Sequence, residues 1–516
     1  MRCGAMRAFL ISAIALSAAP AKAPFTFDAM MQLARIDDPQ LSPDGKSVAF
    51  TVQTVDMANN TKPAQIYIVP VDGSTPAKQL TTAGTTNVRP RWTPDSKRIL
   101  FVSDRAGESQ IWSMNPDGSD SKQLTNIPTG ADGVTVSPDG KLLLFTSDVY
   151  PPCASPDAVP GVAYDAACNK SKLDTEAASK MHARVFSSLL YRHWTQYQGN
   201  RRQHLLVQGI DAGSAVRDLS PGDLNVPPFA LESPEAYVFS PDSTEITYVA
   251  NTDAELATST NSDLFTVPAA GGAAKRITTN PGADEGPLYS PDGKYLAYRT
   301  QLRGGYESDL WRLAILDLQS GKMNTVADLL DRWVESYTWS PDSKRIFFTV
   351  QDHGTTPLYM IPVAGGSIRT IAQGPTSIGS VQFTSDDKVM IYSEQSGSKP
   401  AEIKRAESKG GPSTQLTHLN DAVLNASTLT PLETISVDGS DGAKIESFVV
   451  KPPNFNPDVK YPVLFAIHGG PEGDWGQSWS YRWNAQVFAG AGYIVVLPNP
   501  HGSTGYGQSF TDAVHG

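Results

Sequence analysis

The sequence predicts a β-propeller of seven four-stranded blades followed by the opening part of an α/β domain. Three observations predict it. A turn, Ser-Pro-Asp-Gly or a near copy, recurs at roughly 50-residue spacing along most of the 516 residues. Each turn is followed by a β-rich run and then by two further strand-like runs. Near residue 430 the repeat stops, and a β, α, β pattern with continuous apolar runs begins.

The turns are Ser42-Pro43-Asp44-Gly45, Thr93-Pro94-Asp95-Ser96, Ser137-Pro138-Asp139-Gly140, Ser240-Pro241-Asp242-Ser243, Ser290-Pro291-Asp292-Gly293, Ser340-Pro341-Asp342-Ser343 and the degraded Thr384-Ser385-Asp386-Asp387. Pro presets φ, Asp bonds its own backbone, and Gly accepts positive φ. Runs such as Ser47-Val48-Ala49-Phe50 and Arg345-Ile346-Phe347-Phe348 complete a hairpin with the strand before the turn. A third strand follows, as in Gln65-Ile66-Tyr67-Ile68-Val69. A fourth ends in a polar phrase: Lys78-Gln79-Leu80-Thr81, Lys122-Gln123-Leu124-Thr125, Lys275-Arg276-Ile277-Thr278 and Thr414-Gln415-Leu416-Thr417. Four strands per repeat make a propeller blade, so the propeller is expected over residues 41–420. The double-length gap between Asp139 and Asp242 is read as one blade carrying an insertion, residues 149–200, helical from Asp174 to Leu190.

Residues 1–23 read as a secretory signal. Arg2 and Arg7 are its basic region, Ala8 to Ala19 its apolar stretch, and Ala21-Lys22-Ala23 its cleavage site. An exported protein, periplasmic or secreted, is expected, with residues 24–40 as an N-terminal segment. Export makes Cys153 and Cys168, both in the insertion, a candidate disulfide stabilising its loop by about 3 kcal/mol; two free thiols are the alternative. No Cys/His spacing matches a zinc site, and nothing calls for a cofactor. The net charge of −11, with no block of Lys and Arg, argues against nucleic acid as a partner. After the N-terminus no apolar run reaches membrane-spanning length.

Residues 421–431 read as a polar linker, and 432–516 as the start of the second domain. Glu433 to Val437 and Ala443 to Val450 form two strands. Tyr461 to Ile467 is a continuous apolar run, expected of a strand buried on both faces. It ends in His468-Gly469-Gly470-Pro471. A helix from Trp483 to Ala491 and a strand from Tyr493 to Leu497 follow. Ligands of such a sheet bind at strand carboxyl ends. Two glycines there let a backbone N–H face a reacting oxygen, as in the loop that supplies one oxyanion donor in α/β-hydrolases. A tight loop needing Gly only for its φ is the structural alternative.

Tyr-Pro-Val-Leu, His-Gly-Gly-Pro and Asn499-Pro500-His501-Gly502-Ser503-Thr504-Gly505-Tyr506-Gly507, behind a propeller, resemble the prolyl oligopeptidase family of serine peptidases. The branch of acylaminoacyl and bacterial dipeptidyl peptidases fits best. The resemblance implies an α/β-hydrolase domain and hydrolysis of short peptides from their N-terminus by acyl transfer. It implies an oxyanion hole in which Gly470 offers its N–H, Gly469 shapes the loop, and His468 stands where other branches carry a tyrosine. His501 replaces the family's usual Arg and would anchor the loop or contact substrate less firmly. No G-x-S-x-G occurs; Asp438-Gly439-Ser440-Asp441-Gly442 has the wrong frame. The nucleophile, acid and base are therefore expected beyond residue 516, and the chain is expected to be incomplete and inactive alone. A non-catalytic binding propeller and an esterase on the same scaffold are the other readings.

Five blades carry a carboxylate five residues before the turn: Asp37, Asp132, Glu235, Glu285 and Glu335. Equal register means equal height, so they could form an acidic ring at one mouth of the channel and attract the free α-amine of a peptide. The alternative is structural, each carboxylate accepting backbone N–H bonds.

Overall fold

A computed structural model describes residues 22–155, 157–181, 183–186, 189–229, 236–439 and 442–515. Most of residues 1–23, read from the sequence as a secretory signal, and Glu235 lie outside these residues. Seven sheets of consecutive strands form the propeller, their innermost strands being Arg35–Leu41, Asn87–Trp92, Asp132–Val136, Tyr237–Phe239, Asp284–Tyr289, Val334–Trp339 and Ser377–Phe383. The first of these starts at Arg35, ahead of the boundary at residue 41 drawn from the sequence.

Each turn is locked as its residues dictate. Ser42 Oγ donates to Asp44 Oδ1 at 2.6 Å and accepts from Ser47 N–H at 3.0 Å. The same Ser/Thr-to-Asp bond recurs at Thr93, Ser137, Ser240, Ser290, Ser340 and Thr384. Where the fourth turn residue is Ser instead of Gly, it reaches the preceding blade. Ser96, Ser243 and Ser343 accept from the N–H of Asp44, Asp139 and Asp292, each at 3.0 Å. All three serines sit at φ of 60–64°, a region costly for a residue with a Cβ, and the bond between blades offsets that cost.

The polar phrases that end four of the blades also have a mechanism. The hydroxyls of Thr81, Thr125, Thr278 and Thr417 accept the first N–H after the head of the third strand, from Ile66, Ile111, Leu264 and Ile403, each at 2.9 Å. They then donate to the residue at that strand's head: Gln65, Gln110, Asp263 and Glu402. Amides fill this position in the first two blades and carboxylates in two later ones. Burial pushes Glu402 up to about 7.

The ring closes without a shared sheet among the described residues. The Gln382 amide donates to Pro39 O at 2.6 Å and accepts from Leu41 N–H at 2.8 Å, while Asn420 bridges both backbone groups of Ala34.

One buried network is out of balance. Asp284, at the head of its strand, is 0% exposed, and neither carboxylate oxygen accepts a well-formed hydrogen bond. Its polar neighbours are committed elsewhere: Thr300 to Gln301 O, Thr278 to Asp263, and Asn280 to Gly282 O and Gln301 O. Burial therefore dominates and pushes Asp284 up to about 7. The matching position between the first two blades is Asn87, whose amide donates to Gln65 and Ala83 O. A carboxyl raised by folding stabilises the folded state below its unfolded value near 4 and loses that contribution as pH rises through about 7. Asp284→Asn is expected to raise the melting temperature at pH 8 and to leave it unchanged or lower at pH 4. An unchanged slope of melting temperature against pH would show that Asp284 does not titrate in this range.

The insertion differs from expectation. Its helix is Ala166–Ala178, capped by the Asp165 side chain, and the described residues from Ser179 to Leu190 are not helical. A disulfide joins Cys153 to Cys168, and Val162–Ala163 adds a fifth, outermost strand to the third blade. The expected linker is ordered too: Asp421–Ala426 is a helix, and Ser427–Thr428 pairs with Ala23–Pro24. Phe25, Met30, Leu33 and Trp479 pack together against Val423 and Leu424, which ties the N-terminal segment to the second domain.

Candidate active site

The second domain opens as a four-stranded sheet in the order Glu433–Asp438, Lys444–Val450, Ile494–Asn499, Val463–Phe465. The last two run parallel. One face is a core of Phe448, Val450, Val495 and Leu497 under Ala489. The helix there, Ala485–Gly490, starts where Asn484 accepts from the N–H groups of Gln486 and Val487. The run ending at Ile467 was expected to be buried on both faces. Among the described residues it pairs on one side only, with Ile494–Asn499, and Phe465 is 59% and Ile467 67% exposed.

The His-Gly-Gly-Pro loop leaves the carboxyl end of this strand. Gly470 has φ +134°, and a Cβ there would lie 2.2 Å from Glu472 O. Only glycine fits. The Gly470 N–H has no acceptor among the described residues, the state required of an oxyanion donor. Nothing lies within 4 Å of a Cβ built on Gly469, so its role is not steric. The expectation for His468 needs correction. Its Nδ1 contacts Gly469 O at 3.1 Å and its Nε2 contacts Ser503 Oγ at 2.8 Å. A carbonyl only accepts, so Nδ1 carries the proton and that proton is spent. Neutral His468 therefore has no N–H left for an oxyanion.

The loop is braced by residues the sequence marked only as part of a motif. Thr504 N–H donates to Gly473 O at 2.9 Å. Trp475 N–H donates to Asn499 Oδ1 at 2.7 Å, and its indole N–H to Ala466 O at 2.9 Å. Asn499 Nδ2 donates to the Tyr506 hydroxyl at 2.8 Å, which donates to Glu446 at 2.9 Å. Burial, then the Glu446 charge, raises the Tyr506 pKa far above its usual value, so the phenol keeps its proton. His501 packs on Phe510 at 4.7 Å.

Loops between the second and third strands of the fifth and sixth blades meet this loop system. Ser308 Oγ donates to Glu472 at 3.0 Å, His353 N–H to Gly505 O at 3.1 Å, and Gln477 N–H to Gly354 O at 2.6 Å. Arg303 and Tyr306 both bind Asp512, at 2.9 and 2.8 Å.

The acidic register divides when its partners are traced. A β-bulge follows Asp37, Asp132 and Glu285 in their strands. Asp37 and Asp132 accept the next residue's N–H, at 2.8 and 2.6 Å. Asp132 also pairs with Arg89 at 3.0 Å and Glu285 with Arg299 at 3.3 Å. Those three are engaged. Glu335 forms no ion pair among the described residues; its side chain is exposed, yet the protein packed around it disfavours the charge and raises its pKa, an effect tempered by Arg299. Asp474, which the sequence reading missed, is pushed up to about 7 by burial and then by the charge of Glu335. A lone Asp after a glycine-rich loop carries no signal until the propeller strand is placed beside it.

Known proteins give the same picture. Residues 32–150 match a TolB β-propeller domain and residues 479–516 the prolyl oligopeptidase family. The chain is 32% identical over 498 residues to dipeptidyl-peptidase 5 of Porphyromonas gingivalis, covering 95% of this chain and 70% of that protein. It is 33% identical over 497 residues to dipeptidyl-peptidase 5 of Porphyromonas endodontalis, covering 95% and 69%. The fold is shared with an acylaminoacyl peptidase in complex with Z-Gly-Gly-Phe-chloromethyl ketone, at a TM-score of 0.73 and 18% identity over 95% of this chain and 68% of that one. A propeller with this repeat, a His-Gly-Gly-Pro loop at a strand's carboxyl end beside it, and relatives of 32–33% identity matched over 95% of this chain together assign the chain to the prolyl oligopeptidase family of peptidases.

Proposed function

We propose that the protein is an exported serine peptidase that removes dipeptides from the free N-terminus of short peptides through an acyl-enzyme. One observation carries the reading: the unsatisfied Gly470 N–H, on a braced loop at a strand's carboxyl end, beside the propeller mouth. The dipeptidyl-peptidase 5 relatives support the reaction class. The signal-like residues 1–23 and the Cys153–Cys168 disulfide support export. No G-x-S-x-G frame occurs in the 516 residues, so none of them is assigned as the nucleophile.

Preference for a free amine over an acylated terminus rests on Glu335 and Asp474. Asp474 is raised in part by the charge of Glu335, and an ammonium bound beside the two carboxyl groups would relieve that repulsion. The test uses the enzyme produced from its complete gene. A fluorophosphonate probe should label one serine, and dipeptidyl aminocoumarins should be cleaved faster than their acetylated or ester counterparts. Asp474→Asn with Glu335→Gln should raise KM for free-amine substrates about tenfold. Absence of labelling would leave a binding propeller, faster ester cleavage an esterase, and equal rates on blocked and free peptides would remove the amine preference.

A further inference from the structure

We propose that Ser503 is a positioning residue of the oxyanion site, acting through His468 on the peptide unit that carries the Gly470 N–H. The inference rests on the oxyanion reading of that N–H.

Gly469 and Gly470 are two adjacent glycines, and no side chain of their own fixes the plane between them. The C=O of Gly469 and the N–H of Gly470 belong to one planar unit and point in opposite directions. Holding the carbonyl therefore aims the N–H. The holder is His468 Nδ1, 3.1 Å from Gly469 O. Because that nitrogen must donate, Nε2 is left as an acceptor, and Ser503 Oγ, 2.8 Å away, donates to it.

The relay has a rigid origin. Ser503 is 0% exposed; its N–H donates to Pro500 O at 3.0 Å, and its carbonyl accepts from Thr511 Oγ1 at 3.1 Å. The same burial excludes a tempting alternative. A serine hydroxyl donating to Nε2 of a histidine whose Nδ1–H is itself bound has the connectivity of a nucleophile and its base. No substrate reaches a fully buried hydroxyl, so Ser503 orients and does not attack.

The experiment is a double-mutant cycle in the enzyme produced from its complete gene, with Ser503→Ala, His468→Ala and the pair. Each single variant should lower kcat about tenfold with KM little changed, a part of the loss that follows removal of a whole oxyanion donor. The pair should be no worse than either single variant. Nitrogen NMR of the imidazole should show neutral His468 protonated at Nδ1 in the wild type, and that preference should weaken in Ser503→Ala. A wild-type Nε2–H tautomer, an unchanged kcat in Ser503→Ala whatever its melting temperature, or multiplicative losses in the pair would each overturn the relay. Failure of the wild type to react with a fluorophosphonate would overturn the oxyanion reading itself, while the tautomer would still report on the relay.

Discussion

Gly470→Ala is expected to reduce peptidase kcat by about a hundredfold or more and to leave the melting of the propeller unchanged. The new Cβ would meet Glu472 O at 2.2 Å and its N at 2.5 Å, both backbone atoms that cannot swing aside. The residue would also have to hold φ +134°. The loop must rearrange, and its donor then leaves the position where negative charge develops. Loss of one such donor lowers kcat by about 100- to 1,000-fold. Steady-state kinetics on a dipeptidyl substrate, with circular dichroism as a folding control, checks this. Activity within tenfold of the wild type would mean the oxyanion is bound elsewhere.

Gly476→Ala should have the largest effect on stability. Gly476 lies against Gly354, in the loop of the sixth blade, and a Cβ on it would fall 2.2 Å from Gly354 O. From the other side, a Cβ on Gly354 would strike the Phe448 ring at 2.5 Å. The two backbones touch because neither residue has a side chain, and Gln477 N–H donates to Gly354 O across the contact. Opening it for one methyl should cost about 2–3 kcal/mol, the scale of overpacking in a filled core. Calorimetry should show the single transition broadening or splitting as the second domain loosens from the propeller. A melting curve superimposable on the wild type would show that this contact does not couple the domains.

The propeller was legible because its information is local and repeated. Ser-Pro-Asp-Gly makes its turn with its own atoms, and the Thr ending four of the blades bonds to a strand about 15 residues away. The insertion was harder. Its helix begins at Ala166, where Asp165 caps it by accepting the Cys168 N–H, a local signal the sequence reading passed over; the bond from Tyr150 N–H to Asn169 depends on the third blade being in place. The acidic register was visible as spacing, but spacing does not reveal that Arg89 and Arg299 neutralise two of its members. Nor does it reveal that the charge of Glu335 reaches Asp474, from a segment more than a hundred residues away. His468 shows the limit most clearly. Its position in the motif suggests a donor, and only the contacts of its two nitrogens with Gly469 O and Ser503 Oγ show that both are already engaged.

The alternation of Gly and Ser in the fourth position of the turns has a mechanical meaning. Asp44 with Ser96, Asp139 with Ser243, and Asp292 with Ser343 rivet blades one to two, three to four, and five to six. The other seams are fastened by different means: Arg89 pairs with Asp132 between blades two and three, Thr247 bonds Tyr289 between four and five, Arg345 pairs with Asp387 between six and seven, and Gln382 closes seven onto one. Blades five and six, whose loops meet the second domain, are thus fastened to each other at their turns by Asp292 and Ser343. The wall of the propeller that faces the His-Gly-Gly-Pro loop is braced from within as well as from across the domain contact.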